Sequence, residues 1–320
     1  MSRAVRPRLL FTGGGGAASE ALHRLLSARY DVHFADADPE AKSASLPDSA
    51  WHAIPFAADP SFVAALTALC RSLAVDLLIP GVDEELTLVA QSRAAIGCDV
   101  LLPPLDFVAT HLDKLVSMTR LRALGVLVPN TGTLSERRGV IFPCIVKPRR
   151  GRGSRDVAVV RSEDELRAHV VCCRRPAGDF IVQDRIEGEE FTVTVVADRT
   201  GALRAVVPVK VGVKRGITLR AETDHDETVI AACEAIHRAQ PAAGCFNVQL
   251  VKTGAAEVKP FEINPRISTT TALAIAAGVN VVELYLDGAP AGPLAAFENH
   301  LRLKRSWHNE FLAAPNGAAH

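Results

Sequence analysis

The sequence predicts a mixed α/β chain, with parallel βαβ units in its first third and antiparallel structure in its carboxyl-terminal half. Three observations carry this. Residues 8–12 form a short apolar run that leads straight into four consecutive glycines, 13–16, and then a helix-forming stretch to about residue 28. A second apolar run, 31–36, follows at the spacing of a βαβ unit. Far downstream, two apolar runs, 246–251 and 256–263, flank a Thr-Gly turn and read as a β-hairpin.

Composition bounds the rest. The chain has 320 residues, 48% hydrophobic and 22% charged, a soluble globular profile that suggests two or three compact units. Lys+Arg and Asp+Glu number 36 each, so the formal net charge is zero. That balance argues against nucleic acid or an anionic membrane as the main partner. The basic start has too short an apolar stretch for a signal peptide, and no run is long enough to span a bilayer. Seven scattered cysteines, without a C-x-x-C pair, suit a reducing cytoplasm better than a disulfide framework.

In the first unit, Asp36 ends the second strand about where a ribose-binding acid sits in a Rossmann domain, so an NAD-dependent oxidoreductase has to be weighed. The glycines are consecutive, however, and Ser19 follows rather than a spaced third glycine. A strand at 75–80 runs into the loop Gly81-Val82-Asp83-Glu84-Glu85. Loops at that end of a strand line the crevice of open α/β sheets. Its three acids either meet an amine or cap the next helix, 86–95. Pro103-Pro104 marks the first boundary.

The second unit opens on a helix at 112–124, with Asp113-Lys114 in its first turn and Gly125 past its end. Lys114 opposes the helix dipole there, so it is either a solvated surface lysine or one aimed at an anion. A strand at 142–147 ends on Lys147, and the basic, glycine-rich loop 149–155 follows. Backbone N–H groups freed by glycine, with a lysine beside them, suit phosphate. No Gly-Lys-Ser/Thr opens a helix here, so the loop is not a Walker A loop. Nothing aromatic interleaves to stack bases, which weighs against a nucleic-acid loop. A helix at 162–172 carries Ser162 and Glu165 in a capping-box pattern. Strand signals follow from 180 to 198 and at 204–210, then the segment 211–218. Lys210, Lys214 and Arg215 make a cationic group there, of the kind a transferring phosphoryl group needs. A helix at 226–239 separates them from the hairpin.

Three polar residues, Gln249, Glu262 and Asn264, interrupt that hairpin. Glu262 and Asn264 are two apart and share a strand face, and Gln249 lies on the partner strand. A carboxylate with two amide oxygens is a hard-oxygen set suited to Mg²⁺ when phosphates complete the shell. A polar strand edge with a satisfied Glu is the other reading. Arg266 follows Pro265 and has the fork geometry for a phosphate or carboxylate.

Asn247-Val248-Gln249, then Phe261-Glu262-Ile263-Asn264-Pro265-Arg266, then Ser268-Thr269-Thr270-Thr271 resemble the metal-binding core of ATP-grasp ligases. The wording is nearest to the carbamoyl-phosphate-synthase-like branch, and the resemblance covers nearly the whole chain. It implies an ATP-grasp fold: a Rossmann-like preATP-grasp domain at 1–105, a linker helix and lid at 106–188, a catalytic subdomain at 189–311, and a disordered tail at 312–320. The amino-terminal domain would hold part of the acid or acceptor substrate. The implied activity is an ATP-dependent carboxylate-amine ligase of the amino-acid or peptide type, working through an acylphosphate and releasing ADP and phosphate. By the resemblance, Lys114, Lys147, Gly151, Gly153 and Ser154 bind the phosphates. Gln183, Asp184, Arg185 and Ile186 face adenine, and Glu190 takes the ribose. Gln249, Glu262 and Asn264 hold Mg²⁺, or Mn²⁺ in its place, while Arg266, Lys210 and Arg215 act on the reacting groups. The chain departs from the family at Ser154-Arg155-Asp156, where Gly-Ser-x-Gly is usual. Implied partners are small carboxylates and amines, with a homodimer compatible. A silent nucleotide-binding regulator is the remaining alternative, and the intact metal set and both lysines argue against it. One ATP-grasp unit and no visible glutaminase argue against full carbamoyl phosphate synthesis.

Overall fold

The computed structural model describes residues 6–136, 139–286, 292–306 and 309. The tail at 312–320 lies outside the described residues.

The first sheet holds β1 (Arg8–Thr12), β2 (Asp31–Asp36), β3 (Trp51–Ala53), β4 (Leu77–Ile79) and β5 (Asp99–Val100). Its order is β3-β2-β1-β4-β5, all parallel. The strand order reverses between β1 and β4, and there the crevice of an open sheet lies. The glycine turn after β1 and the loop after β4 both emerge at this point. The strand expected at 75–80 is shorter than predicted, and the three-residue β3 precedes it unforeseen. The helix expected at 86–95 starts earlier and splits into Asp83–Gln91 and Arg93–Ile96.

The second sheet holds β6 (Thr131–Thr133), β7 (Cys144–Pro148), β8 (Ala158–Val160) and β9 (Phe180–Asp184), ordered β6-β9-β7-β8 and antiparallel. The helix Glu163–Cys172 lies on it, packing Leu166 against Val160 and Phe180. Ser162 caps it as expected, its Oγ accepting from Glu165 N at 3.2 Å, but Glu165 accepts from Arg161 N rather than from Ser162 N, so the capping box itself does not close.

The third sheet holds β10 (Glu189–Ala197), β11 (Leu203–Arg215), β12 (Ile217–Thr223), β13 (Gly244–Lys252), β14 (Val258–Asn264) and β15 (Arg302–Lys304). Its order is β14-β13-β10-β11-β12-β15, antiparallel. Residues 211–218 are therefore the two arms of a hairpin that turns at Gly216, whose φ of +72° favours glycine. The turn between β13 and β14 is wider than a Thr-Gly pair: Thr253 N donates to Glu257 O, so β14 starts at Val258. The helix Glu227–Ala239, capped by Asp226, covers one face through Val229, Cys233 and Ile236. On the other face Val196, Ala205 and Cys245 share a core with Leu9, Phe11 and Ile79 of the first sheet. That shared core fixes the amino-terminal crevice against the third sheet.

Residues Ser268 to Thr270 lead into the next helix. The helix Thr271–Ala276 follows, but Thr270 at its cap makes no side-chain capping bond. Ser268 N donates to Thr271 Oγ1 and Thr270 N to Ser268 Oγ, so the hydroxyls fold the approach to the helix instead.

Candidate active site

A cleft of about 1030 Å³ opens between the carboxyl ends of the first sheet, the second sheet and the β13–β14 hairpin. Its floor follows from strand register. Gln249 pairs with Glu262 and Asn247 with Asn264, so Gln249, Glu262 and Asn264 come together, and all three line the cleft.

Three lysines from three different elements converge on this floor. Lys114 starts the helix Lys114–Ala123, where Asp113 caps the first turn by accepting from Leu115 N and Val116 N. Its Nζ lies 3.7 Å from Glu262 Oε1. Lys147, near the end of β7, lies 3.9 Å from Glu262 Oε2 and donates to the Phe261 carbonyl at 3.2 Å. Lys214 donates to Glu190 Oε1 at 2.6 Å and to Gln249 Oε1 at 3.1 Å. Lys147 is only 4% exposed. Burial lowers its ammonium to about 8, Lys114 and Lys214 push the same way, and Glu262 opposes them. Three ammonium groups facing two carboxylates leave a cationic surplus, which a polyphosphate would neutralise.

The remaining predicted nucleotide residues also line the cleft: Gly151, Gly153 and Ser154 in the loop, and Gln183, Asp184, Arg185, Ile186 and Glu190 at the β9–β10 junction. Gln183 Nε2 donates to Thr131 Oγ1 at 2.9 Å, and Asp184 N donates to Asn130 O, which steadies the end of β9. Gly151 and Gly153 have φ of +127° and +69°, the conformations that glycine tolerates. The loop folds over the cleft: Lys114 Nζ donates to Gly151 O at 2.8 Å, and Arg152 Nε to Glu84 Oε2 at 3.0 Å.

Lys210 and Arg215 stand apart from the cleft. Lys210 pairs with Glu189, and Arg215 is exposed beside Gly216; neither lines the cleft. Register shifts on β11, between Val211 and Val213 and between Val213 and Lys214, change which side chains face inward. They bring Lys214 into the site in place of its neighbours. Gly212, inside a strand pattern, was the sequence signal for such an irregularity.

Arg266 lines the cleft with its Nε on Asp83 Oδ1 and its Nη1 on the Ile267 carbonyl. The three acids after β4 thus separate by role. Asp83 holds Arg266, Glu84 holds Arg152, and Glu85 turns inward, 2% exposed. Glu85 Oε1 accepts from Gly81 N and Val82 N, each at 3.0 Å, and from Thr12 Oγ1. Burial outweighs these bonds and lifts its carboxyl to about 7.

The glycine turn does not have the form of a dinucleotide site. Gly15 N donates to Asp36 Oδ2 at 2.9 Å and Asp38 N to Asp36 Oδ1 at 3.0 Å, so Asp36 braces the turn rather than facing a ribose. A Cβ on Gly15 would meet Ala41 Cβ at 2.4 Å, and one on Gly14 would meet Trp51 at 2.9 Å. These glycines serve close packing against the protein.

For a metal, the donor chemistry fits. Gln249, Glu262 and Asn264 offer only oxygens, one of them charged, which suits a hard cation whose shell is completed by phosphate. Among the described residues no group of three or more His, Cys, Asp or Glu could hold a metal.

A parallel amino-terminal sheet, a small antiparallel sheet and a carboxyl-terminal sheet whose hairpin floors a lysine-ringed cleft make up the ATP-grasp fold, which solved structures share with this chain. A family described as "ATP-grasp in the biosynthetic pathway with Ter operon" matches residues 177–308. A D-alanine–D-alanine ligase of Anaeromyxobacter sp. (strain K) is 28% identical over 209 residues, covering 57% of this chain and 68% of that protein. An L-amino acid ligase from Bacillus licheniformis has the same fold, with a TM-score of 0.67 at 16% identity over 90% of this chain and 75% of that one. Rhizobium etli pyruvate carboxylase gives 0.69 at 16% identity; this chain spans 89% of its own length there but only 29% of the carboxylase. Among the described residues no helix is long and apolar enough to cross a membrane.

Proposed function

We propose that this chain joins a carboxylate to an amine with ATP, through an acylphosphate, releasing ADP and phosphate. The observation that carries the reading is the convergence of Lys114, Lys147 and Lys214 on the Gln249–Glu262 floor. Such a surplus of buried and half-buried ammonium groups lowers the repulsion between an anionic carboxylate and the γ-phosphate. The carboxylate oxygen bonds to the γ-phosphorus as the bond to ADP breaks. The amine nitrogen then attacks the acyl carbon and phosphate leaves. Arg266, held in place by Asp83 and the Ile267 carbonyl, would orient the acyl phosphate with its remaining nitrogen, Nη2. Gln249, Glu262 and Asn264 would hold Mg²⁺ or Mn²⁺, and the chemistry that ion supplies is withdrawal of charge from the phosphates. The phosphates would lie between Lys114, Lys147 and the loop at 149–155, with adenine at residues 183–186 and the ribose at Glu190.

We take the partners to be small-molecule acids and amines, and the compartment to be the cytoplasm, which the seven free thiols suit. A homodimer is compatible with these assignments. An intact cationic floor weighs against a silent regulator. The test uses a substrate acid carrying heavy oxygen in its carboxylate. Transfer of one labelled oxygen to inorganic phosphate supports the acylphosphate. Label in AMP, with pyrophosphate released, means an adenylate route and overturns the mechanism.

A further inference from the structure

Arg305 directly follows the short edge strand β15. Its backbone N donates to Leu219 O at 2.8 Å, which fixes it against β12. Its guanidinium then donates to three carbonyls on three separate segments. Nε reaches Thr218 O at 3.1 Å, Nη2 reaches Thr269 O at 3.1 Å, and Nη1 reaches Ala17 O. All three acceptors belong to residues that line the cleft, while Arg305 itself stands behind them. Among the described residues the guanidinium makes no ion pair. A charge drawn away from water is usually matched by a carboxylate. Here its donors go instead to the backbone that shapes the site.

Each of these carbonyls belongs to a wall of the cleft. Thr218 is the strand partner of Lys214 in the β11–β12 hairpin. Thr269 lies on the segment that carries Arg266, between Ser268 and Thr270, which also line the cleft. Ala17 follows Gly15 and Gly16 at the end of the glycine turn. Two of these segments are irregular. The register of β11 shifts on either side of Val213, next to Lys214, and Thr270 gives its helix no side-chain cap. Backbone without a regular ladder keeps one conformation only where its surroundings over-determine it.

We infer that Arg305 is a positioning residue whose fork clasps the hairpin of Lys214, the segment of Arg266 and the glycine turn, and so sets the two cations relative to each other. A planar guanidinium suits this task because its N–H donors point in fixed directions, and one group can align three carbonyls. A lysine has the charge but only one freely turning ammonium. The role rests on the ligase reading above and adds to it a residue that does not touch the substrates.

The unaltered chain, Arg305→Ala and Arg305→Lys are compared in two assays. Hydrogen exchange on the full chain without ligand is followed by mass spectrometry at residues 13–18, 214–219 and 266–271, with 144–148 and 180–184 as reference. Arg305→Ala should speed exchange in all three segments together, by at least about tenfold, and leave the reference unchanged. ADP release is followed with Mg-ATP and a pool of the common amino acids. Turnover of Arg305→Ala should fall at least about tenfold, as when reacting groups lose alignment, while half-saturating ATP changes by less than about threefold. Arg305→Lys should resemble Arg305→Ala in both assays. Exchange altered only at 214–219, beside Arg305 in the sheet, overturns the clasp. So does a lysine variant that behaves as the unaltered chain, or a loss of turnover matched by an equal loss of ATP affinity. Absence of ADP release from the unaltered chain is a separate result that counts against the ligase reading, and the exchange pattern then decides the clasp alone.

Discussion

Replacing Glu85 by Gln should stabilise the ligand-free chain above pH 7 and leave it nearly unchanged at pH 5. Glu85 is buried against Thr12, Gly81 and Val82, and those bonds together with the charge of Arg266 favour its ionised form. Loss of water around the carboxylate outweighs them and raises the value from 4.5 to about 7. Between these two values the folded chain holds a proton that the unfolded chain releases. Stability therefore falls as pH rises through this window. A separation of about 2.5 units, at about 1.4 kcal/mol each, amounts to about 3 kcal/mol once the group is fully ionised. Gln keeps an acceptor oxygen for Thr12, Gly81 and Val82 and carries no charge. At pH 8 the variant should thus be about 3 kcal/mol more stable, and at pH 5 the gain should fall below about 1 kcal/mol. The assay is urea and thermal unfolding with EDTA and no nucleotide, at whole pH values from 5 to 8. The expected Tm difference at pH 8 is about 5 °C for a chain of this size. Parallel curves separated by a constant amount would show that Glu85 carries no desolvation cost and would refute the reasoning.

Glu262→Gln removes the only carboxylate of the metal set, so turnover should fall by ~10²-fold or more while nucleotide affinity changes far less; steady-state kinetics and calorimetry separate the two. Lys147, lowered to about 8 by burial, should regain its full charge when phosphate binds. ATP affinity should therefore weaken as pH rises through 8, with proton uptake on binding, read by calorimetry in buffers of different ionisation enthalpy; pH-independent binding would contradict this. Lys214→Ala should impair kcat/KM for ATP at least about tenfold more than Lys210→Ala or Arg215→Ala, since it alone of the three reaches the floor. Equal effects in the three variants would return Lys210 and Arg215 to the site.

Much of the hairpin was legible in the sequence. Gln249, Glu262 and Asn264 stand out because a strand alternates with a period of two and a hairpin pairs its own neighbours. Two local rules therefore place all three side chains together. The glycine turn, the capped helices at Asp113, Ser162 and Asp226, and the lysine at the end of β7 are local signals of the same kind. The two- and three-residue strands β3, β5, β6, β8 and β15 left no such trace, because pairing with longer neighbours holds them, not a pattern of their own. Tertiary structure alone decided which of three cations on one strand faces the cleft, through irregularities in β11 whose effect depends on its partner β12. It also decided that Asp83, Glu84 and Glu85, consecutive and alike in composition, become two ion pairs and one buried acid. Their separate fates depend on Arg266, Arg152 and Thr12, brought to them from distant parts of the chain, and on how much water each contact leaves behind. Local alternation sets the direction of a side chain, but only packing sets its burial and its long-range partners, and on these the electrostatics of the site depend.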